Sequence, residues 1–224
     1  MVMKFSKSDF WKAAAAGEAI ALLIIPVSKN LKVFALVQSW SGNLMPLFIA
    51  LWLIFLPIAA ASGLYIFYRL SVLRWPILFQ IGKYGIVGWL NTFFAAGILN
   101  FLVWATGTAQ GFWLDCFAAA AFVLGTINSF FWNKFWTFES KNTDKIKQEY
   151  VRFFAVSAAV SLLNTGLIHL IVNIIGPPAG FDPEVWVNVA IAIIIPVAFL
   201  GNFLGYRIFV FNNKRKEYEE HNGI

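Results

Sequence analysis

Residues 33–68 carry no charged side chain, although the whole chain is only 224 residues long. Four more charge-free stretches follow: 84–114, 116–133, 153–181 and 185–206. A helix needs about 20 apolar residues to cross roughly 30 Å of hydrocarbon, so each stretch is long enough to span. Apolar residues make up 60% of the chain and charged residues 12%, about half the charge of an average soluble domain. A globule of this size has too little interior for so many apolar side chains. The pattern excludes a soluble enzyme, a nucleic-acid-binding domain and a disordered chain. The net charge of +6 reflects basic loops of a membrane protein, not a polyanionic partner.

The apolar cores of the spans are 44–68, 84–104, 116–133, 153–181 and 185–206. Pro46, Pro57 and Pro196 are compatible with membrane helices, whose neighbours satisfy the freed carbonyls. An earlier run, 13–27, is short, contains Glu18 and ends near Pro26. Lys4, Lys7 and Lys12 precede it like the basic end of a signal peptide, but no Ala-x-Ala-like site follows. It is read as a retained short sixth helix or a re-entrant segment.

Basic residues orient the bundle. The segments 69–83, 134–152 and 207–216 hold nearly all the Lys and Arg of the last two-thirds, whereas 105–111 and 175–181 hold none. The positive-inside rule makes the basic segments and the C-terminus cytoplasmic. Trp40, Trp75, Trp104, Trp113, Trp136 and Trp186 fall near span ends, where indoles favour the headgroup level. Trp52 and Trp89 lie deeper and are expected to pack. The mixed-charge segment 139–149 is expected to form a surface helix, and 213–224 a charged cytoplasmic tail.

The chain repeats itself. Shifted by 73 residues, 83–138 aligns without a gap on 156–211: Leu90-Asn91-Thr92 on Leu163-Asn164-Thr165, Asn100 on Asn173, Gly107 on Gly180 and Trp113 on Trp186. Each copy is one two-helix hairpin, so both enter from the same side, a parallel repeat about an axis along the membrane normal. Small-residue stripes (Gly85, Gly88, Thr92 and Ala96; Ala121, Gly125 and Ser129; Gly201 and Gly205) suit close helix contacts. Contact within one chain is the first expectation, a homodimer the second. The fold class is thus an all-α polytopic membrane protein: a four-helix core of two parallel-repeat hairpins plus one or two N-terminal membrane helices. Residues 1–76 form the N-terminal segments and 77–212 the four-span core.

Two motifs carry a family resemblance. Lys83-Tyr84-Gly85-Ile86-Val87-Gly88-Trp89-Leu90-Asn91-Thr92 resembles the opening of the GtrA family of small membrane proteins, associated with cell-surface polysaccharide synthesis. Ser129-Phe130-Phe131-Trp132-Asn133-Lys134-Phe135-Trp136-Thr137-Phe138 is similar to its closing signature, repeated more loosely over 203–211. The second copy departs from the first: Val156 replaces Lys83, Ser161 replaces Gly88 and Tyr206 replaces Asn133. The resemblance implies a non-catalytic flippase. Its substrate is a polyprenyl-phosphate-linked sugar, moved from the cytoplasmic to the outer leaflet of a prokaryotic cytoplasmic (inner) membrane, where a glycosyltransferase uses it. The alternatives are a scaffold or regulator of such a glycosyltransferase, and a proton-coupled small-molecule transporter.

Carrying such a head through lipid requires cations for the phosphate, because an unpaired charge at the bilayer centre costs at least ~2.5–3.5 kcal/mol. Lys83, Lys134, Arg152 and Arg207 stand at the basic helix ends and are the phosphate candidates, although snorkelling to headgroups explains each as well. Asn91, Thr92, Asn128, Asn133, Asn164, Thr165 and Asn202 are the candidates for the sugar path, since amides both donate and accept. Interhelical hydrogen bonding is the plainer role for them. Glu18 and His169 are the coupling candidates; a carboxylate inside the membrane has to be protonated or paired, with Lys83 as a partner for Glu18. One cysteine, Cys116, and two histidines leave no basis for a disulfide, a metal site or a cofactor.

Overall fold

A computed structural model describes residues 4–30, 32, 35, 37–39, 44–179 and 182–211. Trp40, Gly180 and the tail 213–224 lie outside the described residues. The described residues build six long helices: α1 (Lys7–Asn30), α2 (Met45–Leu73), α3 (Ile77–Thr106), α4 (Phe112–Trp132), α5 (Ile146–His169) and α6 (Pro183–Gly205). The last three run on into π turns at Asn133–Thr137, Leu170–Ile175 and Tyr206–Val210. All six are long and apolar enough to cross a membrane.

The doubtful first segment is therefore one continuous helix, longer at both ends than 13–27. Its 24 residues extend about 36 Å at 1.5 Å per residue. Pro26, Pro57 and Pro196 all sit inside helices.

The helices form two compact units, 1–139 and 140–224. The repeat divides the sequence after residue 76, but the packing divides it after Glu139, because α1 packs on both α2 and α3. In the first unit, Asp9 of α1 and Glu139 after α4 meet Lys83 near the start of α3. At the opposite end, Asn30 donates to the Asn100 side chain at 3.0 Å and Lys29 lies 4.2 Å over the Trp104 ring. α1 and α3 thus run in the same direction, with α4 returning.

Close approach depends on particular glycines. A Cβ built on Gly17 would stand 2.6 Å from the Leu56 carbonyl oxygen, on Gly97 2.9 Å from a Leu23 methyl, and on Gly125 3.3 Å from Ala95. In the second unit, one on Gly205 would stand 2.5 Å from Val156. The stripes at Gly125 and at Gly201 and Gly205 are contact faces as expected. At Gly85 and Gly88 no atom of the described residues lies within 4 Å of a built Cβ, so neither is a close-contact point there.

Three further expectations change. Residues 139–143 form an irregular loop, not a surface helix; Glu139 has φ +52°, and the Asn142 carboxamide accepts from the Asp144 amide at 2.8 Å, a turn that competes with helix. Trp136 is buried, because its indole finds an acceptor inside the bundle. Trp89 is 65% exposed and Trp52 39%; in lipid an outward apolar ring loses nothing, so depth does not imply packing.

Candidate functional site

The polar residues of the first unit gather where α1, α3 and the π turn after α4 meet. The N-terminus of α1 is made by a reciprocal cap. Ser6 Oγ accepts from the Asp9 amide at 3.1 Å, while Asp9 Oδ2 accepts from the Ser6 amide at 3.1 Å and from Ser6 Oγ–H at 2.6 Å. This is a capping box with Asp in the third position. It leaves Asp9 Oδ1 free for two further donors, the Trp136 indole N–H at 3.0 Å and the Lys83 ammonium at 2.7 Å.

Lys83 is enclosed, with 1% of its side chain exposed. Its Nζ also binds Glu139 Oε1 at 2.9 Å and lies 4.6 Å above the Phe79 ring. Around it, Gln80 donates to the Thr137 carbonyl at 3.2 Å, which ties α3 to the π turn. Ala13, Ala61, Leu64, Phe79, Val87 and Trp136 form the apolar floor. A buried ammonium between two carboxylates carries one surplus negative charge; in so dry a setting each partner depends on the others.

The π turn widens the end of α4 so that Asn133, Lys134, Trp136 and Thr137 all point inward. Such bulges are frequent at functional sites. Asn133 donates to the Ser129 carbonyl at 2.9 Å, but among the described residues its Oδ1 has no partner, nor has Thr137 Oγ1. Lys134 is completely buried, with Nζ 5.6 Å over the Phe135 ring.

Above this cluster the helices carry further unmatched amides. Asn91 lies two turns beyond Lys83 on α3, about 12 Å along the axis. It faces α4, with its Oδ1 3.7 Å from where a Gly125 Cβ would lie. Asn91 Oδ1 and Asn128 Nδ2 are both buried without a hydrogen-bond partner among the described residues. In the second unit the same holds for Asn164 Oδ1 and Asn202 Oδ1. A buried amide left unpaired costs about 1–3 kcal/mol.

Five of the seven sugar-path candidates thus have unmatched buried atoms: Asn91, Asn128, Asn133, Asn164 and Asn202. Thr92 and Thr165 do not join them. Both are exposed and donate to their own helix, to the Gly88 and Ser161 carbonyls at 3.0 Å.

Of the phosphate candidates, Lys83 and Lys134 are buried in the first unit, while Arg152 and Arg207 are exposed on the second. Lys83 pairs with Asp9 and not with Glu18, which has neither hydrogen bond nor ion pair among the described residues and is half-buried in the middle of α1. His169 is exposed where α5 passes into its π turn, with Nδ1 3.0 Å from Asn173 Nδ2.

Asp9, Trp136 and Glu139 were not among the expected residues. The tetrad Ser6-Lys7-Ser8-Asp9 ahead of an apolar run is a capping-box signal that marks Asp9. Nothing in the sequence points Glu139 at Lys83.

The two hairpins repeat in local structure as well. Their closing π turns occupy equivalent positions, Asn133–Thr137 and Tyr206–Val210, and end on equivalent bonds. The Phe138 amide donates to the Asn133 carbonyl at 2.8 Å, and that of Phe211 to Tyr206 at 2.9 Å. The ionic cluster is not repeated: Val156, in the place of Lys83, fills the space beside Gly205. Tyr206, in the place of Asn133, stacks on Phe153 at 4.0 Å with its hydroxyl 2.7 Å from Ser157 Oγ.

Six apolar helices with a buried polar interior define a multi-pass membrane protein. The GtrA/DPMS transmembrane domain matches residues 83–217, more than half of the chain, which therefore belongs to the GtrA/DPMS family. No curated protein and no solved structure matches it.

Proposed function

We propose that this protein is a non-catalytic carrier that moves a polyprenyl-phosphate-linked sugar across the cytoplasmic membrane, for use in cell-surface glycan synthesis by a glycosyltransferase on the far side. The observation that carries the reading is the set of unmatched amides, above all Asn91 and Asn164, at equivalent positions of the two hairpins. A sugar hydroxyl both donates and accepts, so it satisfies an orphaned Asn oxygen where an acyl chain leaves it bare. Lys83, Lys134, Arg152 and Arg207 supply positive charge at the end where the positive-inside rule puts the cytoplasm. The tail stays in lipid, and only the head needs shelter. Membership of the GtrA/DPMS family supports the lipid-linked class of substrate.

The test is reconstitution into liposomes with a fluorescent polyprenyl-phosphate sugar in the outer leaflet. Folded protein accelerates loss of that label to the inner leaflet; transfer no faster than in empty liposomes refutes the reading.

A second reading adds proton coupling, and Glu18 favours it. A carboxyl in the middle of a 24-residue helix without an ion pair sits at the costliest depth of the bilayer, where ionisable groups are functional by default. Under this reading a pH gradient drives transport and Glu18→Gln abolishes the drive. An unaltered gradient response in that variant excludes Glu18.

A further inference from the structure

Resting on the carrier reading, we propose that Lys83 is a site for one monoanion at a time. Glu139 occupies it in the resting chain, a lipid phosphodiester displaces Glu139, and Asp9 stays in place to exclude more highly charged phosphates.

The two carboxylates on Lys83 are held in very different ways. Asp9 is 9% exposed, accepts from the Ser6 amide, the Ser6 hydroxyl and the Trp136 indole besides Lys83, and is locked by the cap of α1. Glu139 is 46% exposed, and Lys83 is its sole partner among the described residues. Its backbone φ of +52° is a left-handed conformation that costs an L-residue free energy. Such strain persists where surrounding contacts enforce it and clusters at switches and ligand clamps. The bond to Lys83 is the one side-chain contact that holds the Glu139 carboxylate among the described residues. Asp9 is the permanent counter-ion and Glu139, the more exposed of the two carboxylates, the exchangeable one.

Charge selects what takes its place. A sugar linked to a lipid monophosphate is a phosphodiester with a single negative charge, equal to that of the carboxylate it replaces. The bare monophosphate left when the sugar is transferred carries −1.5 to −2 at neutral pH. Both carboxylate oxygens now lie within 2.9 Å of one nitrogen, so a ligand at the Glu139 position is beside Asp9. Repulsion between charges at such separations in a poorly hydrated site is strong. The site therefore accepts the sugar-loaded lipid and disfavours the spent one.

The experiment measures binding of farnesyl methyl phosphate, a diester, and farnesyl phosphate, a monoester, to purified full-length protein by calorimetry in detergent. Wild type is expected to bind the diester about tenfold more tightly, a difference of ~1.4 kcal/mol. Glu139→Gln removes the competing carboxylate and tightens the diester about threefold to tenfold. Glu139→Gly does the same without backbone strain, which separates loss of charge from misfolding. Asp9→Asn removes the charge, keeps one acceptor oxygen where the carboxylate has two, and equalises the two ligands. Unchanged diester affinity in both Glu139 variants, or intact discrimination in Asp9→Asn, overturns the proposal. The carrier reading fails separately: liposomes that do not translocate the lipid while the binding pattern holds remove transport but leave the site. Translocation with no Glu139 effect removes the site and leaves transport.

Discussion

Replacing Lys83 by Met tests the buried cluster most directly. The substitution preserves length and apolar stem, so packing against Phe79 and Val87 is largely retained, but Asp9 is left without its cation. Asp9 side-chain exposure is 9%, and removing one partner of a buried pair typically costs 3–5 kcal/mol. Three donors from Ser6 and Trp136 remain at 2.6–3.1 Å, which places the expected loss near the lower limit, about 3 kcal/mol. Asp9→Asn alone leaves Lys83 with Glu139 and costs about 1–2 kcal/mol. In the double variant neither buried charge is stranded, and the loss is about 2 kcal/mol smaller than the sum of the singles. Unfolding in mixed micelles, followed by tryptophan fluorescence and extrapolated to zero denaturant, gives all four corners of this cycle. Strict additivity, or a loss under about 1 kcal/mol for Lys83→Met, would refute the argument that Asp9 depends on Lys83.

Three other outcomes follow from the geometry. Gly17→Ala drives a methyl against the Leu56 carbonyl and the Pro57 backbone and should destabilise by about 1–3 kcal/mol, whereas Gly85→Ala meets open space and should lose nothing; thermal denaturation in detergent compares them. Asn91→Ala and Asn164→Ala remove unmatched oxygens, so the melting temperature should hold or rise while translocation in liposomes falls at least tenfold. Equal loss of both quantities would make the amides structural. Tyr206→Phe keeps the stack on Phe153 but drops the Ser157 bond, a cost of about 1 kcal/mol readable as a small drop in unfolding midpoint.

Much of the architecture is legible in the spacing of charges, because a membrane helix is defined by what it lacks. The first helix is the exception: Glu18 and Pro26 interrupt the apolar pattern, yet α1 is stabilised by packing against α2 and α3 that no local signal reports. Asn91, Asn128, Asn133, Asn164 and Asn202 stand out in the sequence as polar side chains inside long apolar runs, but that each has a buried atom without a partner among the described residues is decided by packing. Thr92 and Thr165 share that inference and differ in outcome, because a threonine hydroxyl reaches its own helix carbonyl and needs no partner. Tryptophan depth misled for a related reason. In lipid an outward indole and a packed one are nearly alike in energy, so depth along the helix says little about which face the ring takes.

The sequence by itself determined the membrane class and the helices of the two hairpins, which follow from local composition and spacing, and its motifs carried the family resemblance. Only the tertiary structure decided that Lys83 is paired, and with which carboxylates. Asp9, Lys83 and Glu139 are far apart in the chain, and an ion pair forms wherever folding brings opposite charges into a space that water cannot enter. The capping box aims Asp9, the π turn brings up Trp136, and a left-handed backbone turns Glu139 back onto the ammonium. The charge pattern alone made Lys83 one more basic residue at a helix end; the fold buries it between two unequal carboxylates.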